Sequence, residues 1–255
     1  MKSYYCAPVT FEVTGILYTT LFFFFLFTQT SFAQNQSYPF EFFTANIEGT
    51  KLSVITPEQK LIFQKEFVQP ASHTSDMDED GVNEMLIIDS VKINGGINFI
   101  LFIYNTLDSF YLADSINSGS FLPYETASEE TEGLIIVTGN PSFEIFNKGV
   151  SDYFLPINCW KYENAALSLI NDEIYDIFIS ENEYVVDYID KFYLENGEDC
   201  NSSLKIKPAI AAAFVNYINA GEQSVASKFF KNYYLCDDIE EIENQIHVLL
   251  NKGSE

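Results

Sequence analysis

The chain has 255 residues, 47% of them hydrophobic, with 13 lysines and arginines against 37 aspartates and glutamates and a net charge of −24. That apolar fraction excludes a disordered chain and permits one or two domains. So few basic residues exclude recognition of nucleic acid or of an anionic membrane surface, which both require clustered positive charge, while the self-repulsion of so acidic a chain favours a bound divalent cation.

The first feature along the chain is the uncharged run Gly15 to Thr28, followed by Ser31-Phe32-Ala33 with small residues at the two positions a signal peptidase reads. This predicts a signal peptide over residues 1–33, cleavage before Gln34, and a secreted or periplasmic bacterial protein. The alternative is a membrane anchor. The run is shorter than the roughly twenty residues a span requires, and no basic stop-transfer cluster follows, so stable membrane insertion after cleavage is not expected. Three cysteines remain beyond it, Cys159, Cys200 and Cys236, an odd count that leaves a free thiol or an intermolecular bond. No C-x-x-C occurs, so zinc and thioredoxin-like chemistry have no support.

Residues 34–172 read as a β-rich domain of roughly ten short strands, joined by tight turns. Tyr38 to Thr44 is an aromatic strand. Leu52–Ile55 and Leu61–Val68 flank a proline turn, Thr56 to Gln59. Met85–Val91 and Ile97–Tyr104 flank Asn94-Gly95-Gly96, the strongest hairpin signal in the chain, and Phe110–Ile116 returns after it. The acidic stretch Pro123 to Glu132 is expected to be an exposed loop. Leu134–Thr138 and Phe143–Asn147 flank Gly139-Asn140-Pro141, and Tyr153–Tyr162 and Ala166–Ile170 flank Glu163-Asn164.

Residues 173–255 change period and predict a helical segment. Ser180-x-x-Glu183 has the form of a capping box, with Val185, Ile189 and Phe192 behind it and Asn196-Gly197 as a stop. Pro208 suits the first turn of the next helix and Gly221 its end. A third helix is expected over about Glu222 to Leu235, and a fourth after Asp237 or Asp238. The second and third would form an antiparallel hairpin whose ends meet, so a Cys200–Cys236 disulfide is geometrically reasonable; three free thiols are the alternative. The fold class is therefore α+β: antiparallel hairpins, as a partial propeller or an open β-sandwich, followed by helices.

The stretch Asp76-Met-Asp-Glu-Asp-Gly-Val-Asn-Glu84 places carboxylates at loop positions one, three, five and nine and glycine at six. Alternate side chains of a tightly coiled loop turn inward, so Asp76, Asp78 and Asp80 can converge, Gly81 permits the bend, the Val82 carbonyl can point in and Glu84 can close the shell. Hard oxygen ligands in this number suit Ca²⁺ better than Mg²⁺. An EF-hand or dockerin loop requires an acid at position twelve, which here is Ile87. The alternative is an exposed acidic turn that binds nothing, although four unpaired carboxylates held this close would repel.

The pattern D-x-D-x-D-G-x-x-E running into a buried strand, Asp76 to Ile88, resembles the calcium loops of FG-GAP and VCBS-type repeats, the β-propeller repeats also found in integrin α-chains. The resemblance is specific over the loop and loose over Lys51 to Asn171. It lacks the literal Phe-Gly and Gly-Ala-Pro signatures, and the β region is too short for a seven-bladed ring. It implies Ca²⁺ as a structural ion and a protein or glycan ligand.

No nucleophile elbow, zincin motif, P-loop or dinucleotide fingerprint is present. His73 and His247 are the only histidines; the first could lie near the ion, the second at an apolar boundary. The expected function is thus that of an exported calcium-binding protein with a non-catalytic binding or structural role. The alternative is a secreted carbohydrate hydrolase with an acid pair that the sequence does not single out.

Overall fold

The computed structural model describes residues 35–93 and 96–252. The expected signal peptide and the Asn94-Gly95 pair of the central hairpin turn lie outside the described residues. Among the described residues twelve strands and five α-helices follow in order, so the fold is α+β.

Strands β1 (Gln36–Pro39), β2 (Thr44–Glu48), β3 (Lys51–Ile55) and β4 (Leu61–Glu66) form the first antiparallel sheet. Strands β5 (Pro70–Ser75), β6 (Glu84–Ile93), β7 (Gly96–Asn105) and β8 (Tyr111–Gly119) form the second. The third comprises β9 (Tyr124–Thr126), β10 (Ile135–Gly139), β11 (Ile157–Glu163) and β12 (Ala166–Leu169). Each is a four-stranded meander in chain order, and none closes into a barrel.

The sheets stack face to face, and alternation along the strands sets which residue meets which neighbour. Met85, Ile87 and Tyr104 pack against Ala45, Ile47, Leu52 and Val54 of the first sheet. The intervening residues Leu86, Leu101 and Ile103 pack against Ile136 and Tyr162 of the third. The second sheet is buried on both faces, which accounts for the unbroken apolar run of β6. The other face of the third sheet, through Ile135, Val137 and Cys159, meets Ile177 and Phe178 of the helical layer.

That layer contains α1 (Asp176–Asn196), α2 (Cys200–Lys205), α3 (Lys207–Asn219), α4 (Gln223–Tyr233) and α5 (Ile239–Lys252). Every residue of α3 from Pro208 to Asn216 is buried, so this helix is enclosed all round rather than amphipathic. Its small alanines let neighbours approach, and the Asn216 side chain accepts the Ile157 N–H at 3.0 Å, joining helix to sheet. A disulfide links Cys200 to Cys236, with Cα atoms 4.7 Å apart, and Cys159 is a buried free thiol. Among the described residues no helix is long and apolar enough to cross a membrane.

Four local expectations need correction. The strand expected over Tyr38 to Thr44 is broken by a turn closed by the Phe40 N–H on the Phe43 carbonyl. Phe143 to Asn147 is not a strand but part of a 3₁₀ segment, Pro141–Asn147, because the Asn140 side chain caps the Ser142 N–H at 3.1 Å and proline starts the turn. Helix α1 begins at Asp176, so Ser180 and Glu183 are interior residues rather than a capping box. The acidic stretch 123–132 contributes β9, and its Glu130 carboxylate accepts the N–H groups of Tyr175 and Asp176, capping α1 from a distance.

Candidate metal centre

The acidic loop is the turn of the β5–β6 hairpin. Ser75 pairs with Glu84 in register, so Asp76 leaves one strand as Glu84 enters the next. The strand on the upstream side was not expected from the sequence, because Pro70 begins it and its residues alternate weakly. Within the turn, Gly81 has φ +89°, the left-handed conformation expected of it, and Glu79 has φ +58°. A non-glycine residue held there carries about 1 kcal/mol of strain or more, which the turn must offset elsewhere.

One carboxylate oxygen from each of Asp76, Asp78 and Glu84 lies within 4.8 Å of the others. Asp76 Oδ2 accepts the Gly81 N–H at 3.0 Å, and Glu84 Oε2 accepts the Met77 N–H at 3.1 Å. Asp76 Oδ1 and Asp78 Oδ1, by contrast, are shielded from solvent and have no hydrogen-bond partner. Two carboxylate oxygens of this kind are costly unless something positive completes them.

The electrostatics agree with the geometry. Glu84 is only 2% exposed, and burial pushes its pKa up to about 7, with the charges of Asp78 and Asp80 adding and the Met77 N–H opposing. Asp78 is also held above the usual carboxylate range, by burial first and then by Asp80 and Asp76. The donor set is all hard oxygen, which fits an alkaline-earth cation and not a soft metal.

Asp80 stands beside this group rather than in it. It is exposed, and its Oδ1 accepts the Val82 N–H at 2.7 Å in a local turn, although its charge is felt by both Asp78 and Glu84. Val82 is half-buried and contributes that N–H to the same turn.

The spacing of the acids does not single out a further residue of the loop. Met77, between two of the converging acids, is 1% exposed and packs with Leu86, Leu101 and Ile103 of the second sheet and Ile136 and Tyr162 of the third. It is a plug between two layers. Tyr162 reports the same proximity: burial raises its pKa most, and the charges of Glu84 and Asp78 add to the effect. An isolated methionine among acids was the one available signal, since an exposed turn has no use for it.

The remaining chemistry-bearing residues lie elsewhere. His73 sits on β5 opposite Leu86 and bonds Glu125 of β9, spanning the second and third sheets beside a cavity of about 370 Å³ lined by Leu86, Ile88, Leu101 and Ile136. Glu125 holds the imidazole pKa above its ordinary value, and burial opposes this. His247 lies on α5 with its ring edge-on to Phe214, 5.8 Å between centroids. Burial pushes the Cys159 thiol up to about 12, aided by Asp176 and Glu181, which leaves it without thiolate character for nucleophilic work.

Compared with family models, with curated proteins and with solved structures, the chain matches none of them.

Proposed function

We propose that the chain is an exported calcium-binding protein with a non-catalytic binding or structural role, in which one Ca²⁺ closes the Asp76–Glu84 turn. The observation that carries this reading is the pair of solvent-shielded, unpartnered oxygens, Asp76 Oδ1 and Asp78 Oδ1, beside the buried carboxylate of Glu84. In this reading Asp76, Asp78 and Glu84 hold the ion. Asp80 supports it by charge, and the Val82 carbonyl is a further candidate ligand. The ion supplies positive charge and fixed geometry and takes part in no reaction.

Its structural effect follows from Met77. The residues on either side of this plug are ligands, so fixing them fixes the plug, and the plug joins the second sheet to the third. The kinship proposed with FG-GAP and VCBS-type repeats rests on the loop residues Asp76 to Ile88 and on the succession of four-stranded meanders.

Isothermal titration of the purified protein with CaCl₂ tests the reading. We expect one site per chain with a dissociation constant somewhere between about 10⁻⁶ and 10⁻³ M, weaker binding of Mg²⁺, and loss of the site in Asp78→Asn. Absence of calcium binding by the wild-type protein at millimolar ion would overturn the proposal.

A further inference from the structure

A cavity of about 400 Å³ between α1 and the loops that precede β9 and β11 shares no lining residue with the acidic loop. One stripe of α1 lines it: Glu181, Tyr184, Val185 and Tyr188, spaced so that all four share a face. The segments around Phe121 and from Ser151 to Leu155 line it as well. Five aromatic rings line the space, those of Phe121, Tyr153, Phe154, Tyr184 and Tyr188, and the Phe154 and Tyr188 centroids are 4.6 Å apart. Tyr184 is 68% exposed and Tyr153 52%, and both line the cavity.

Two acids share the lining, Asp152 and Glu181, and no lysine, arginine or histidine does. Asp152 accepts the Tyr188 hydroxyl at 2.8 Å and the Ser151 hydroxyl at 3.1 Å, and Glu181 accepts the Tyr124 hydroxyl. Those donors are neutral. They orient the carboxylates and leave the negative charge uncompensated. Among the described residues the ion pairs are His73–Glu125 and Lys161–Glu163, so neither acid has a cationic partner there.

An anion would meet two negative charges at this site. A neutral apolar guest would take water from the half-buried Glu181 carboxylate and return nothing to it. A cation with an apolar skin meets neither obstacle: its methyl groups can pack on the lining rings, whose faces attract positive charge, while the carboxylates neutralise it. We propose that this cavity binds a small organic cation of the quaternary or alkylated ammonium class. The site is independent of the calcium loop.

The test titrates the purified protein at fixed ionic strength with choline chloride, with its neutral isostere 3,3-dimethylbutan-1-ol, and with methyl glucoside. We expect saturable choline binding, with the neutral isostere about tenfold weaker or more. Asp152→Asn combined with Glu181→Gln should weaken choline by a similar factor. Tyr184→Ala, an exposed position where the fold tolerates truncation, should weaken it about threefold or more without altering charge. Asp187→Asn, which removes an exposed charge from the same helix outside the cavity, should leave choline affinity unchanged. No saturable choline binding at tens of millimolar would overturn the proposal. So would an equal loss in Asp187→Asn, which would assign the attraction to the net charge of the whole molecule, or tighter binding of the glucoside than of choline.

Discussion

At the residue scale, Glu84 carries the clearest consequence. An ordinary glutamate titrates near 4.5, and burial raises Glu84 to about 7. Between those values the folded chain retains a proton that the unfolded chain has released. Without a divalent ion, this residue therefore lowers stability as pH rises through the window, by up to about 3 kcal/mol in all. Calcium bound as proposed would act in the opposite sense, because its ligands must be ionised, so it should stabilise more at about pH 8 than at about pH 5. Thermal melts in EDTA across this range, comparing wild type with Glu84→Gln, isolate the effect: the difference in stability between the two should shift in favour of the glutamine variant as pH rises. A difference that stays flat across the window would show that Glu84 titrates normally. The aspartates and the glycine of this turn were legible in the sequence because their spacing is a property of the loop itself. The divergence of Asp80 was not, since it depends on whether a carboxylate bonds the N–H two residues on or turns inward, and both are open to an aspartate in a turn.

At the element scale, what could be read was what the chain encodes locally. The turn at Thr56–Gln59, the stops at Gly197 and Gly221, and the helix entry at Pro208 all appear where expected, and the turn expected at Glu163-Asn164 falls one residue later, at Asn164-Ala165. The Cys200–Cys236 link follows from the same reading, because a helical hairpin returns its two ends to one place. The start of α1 could not be read in this way. Its cap is Glu130, which reaches the first N–H groups of the helix from 45 residues away, so the local Ser180-x-x-Glu183 pattern misled. This distant cap yields a prediction: Glu130→Ala should destabilise the protein by about 1 kcal/mol, to about 2 kcal/mol if the helix-dipole contribution is also lost. Urea denaturation measures it, and a midpoint unchanged from wild type would mean that water caps α1 equally well. The 3₁₀ segment at Pro141–Asn147 departs from the expected strand for a related reason. Its aromatic residues suit a strand, and only the Asn140 cap and the proline that starts the turn make it helical.

At the scale of the whole molecule, three meanders and a helical layer stack in chain order, each burying what the one before exposes. Two-sided burial of the second sheet could be read from the unbroken run Met85 to Ile88. Its neighbours could not, because hydrophobic alternation says that a face is covered and not by what. The proposed ion site stands where this matters most, at the contact between the second and third sheets, with Met77 inserted between them. In a chain of net charge −24, a cation bound there as proposed would relieve local repulsion and fix a contact between layers. The most direct test is a crystal structure of the protein grown with CaCl₂ and examined for anomalous scattering. The account predicts a single strong peak within about 2.3–2.6 Å of carboxylate oxygens from Asp76, Asp78 and Glu84. A map with no peak there, and water bonded to Asp76 Oδ1 and Asp78 Oδ1 instead, would contradict it.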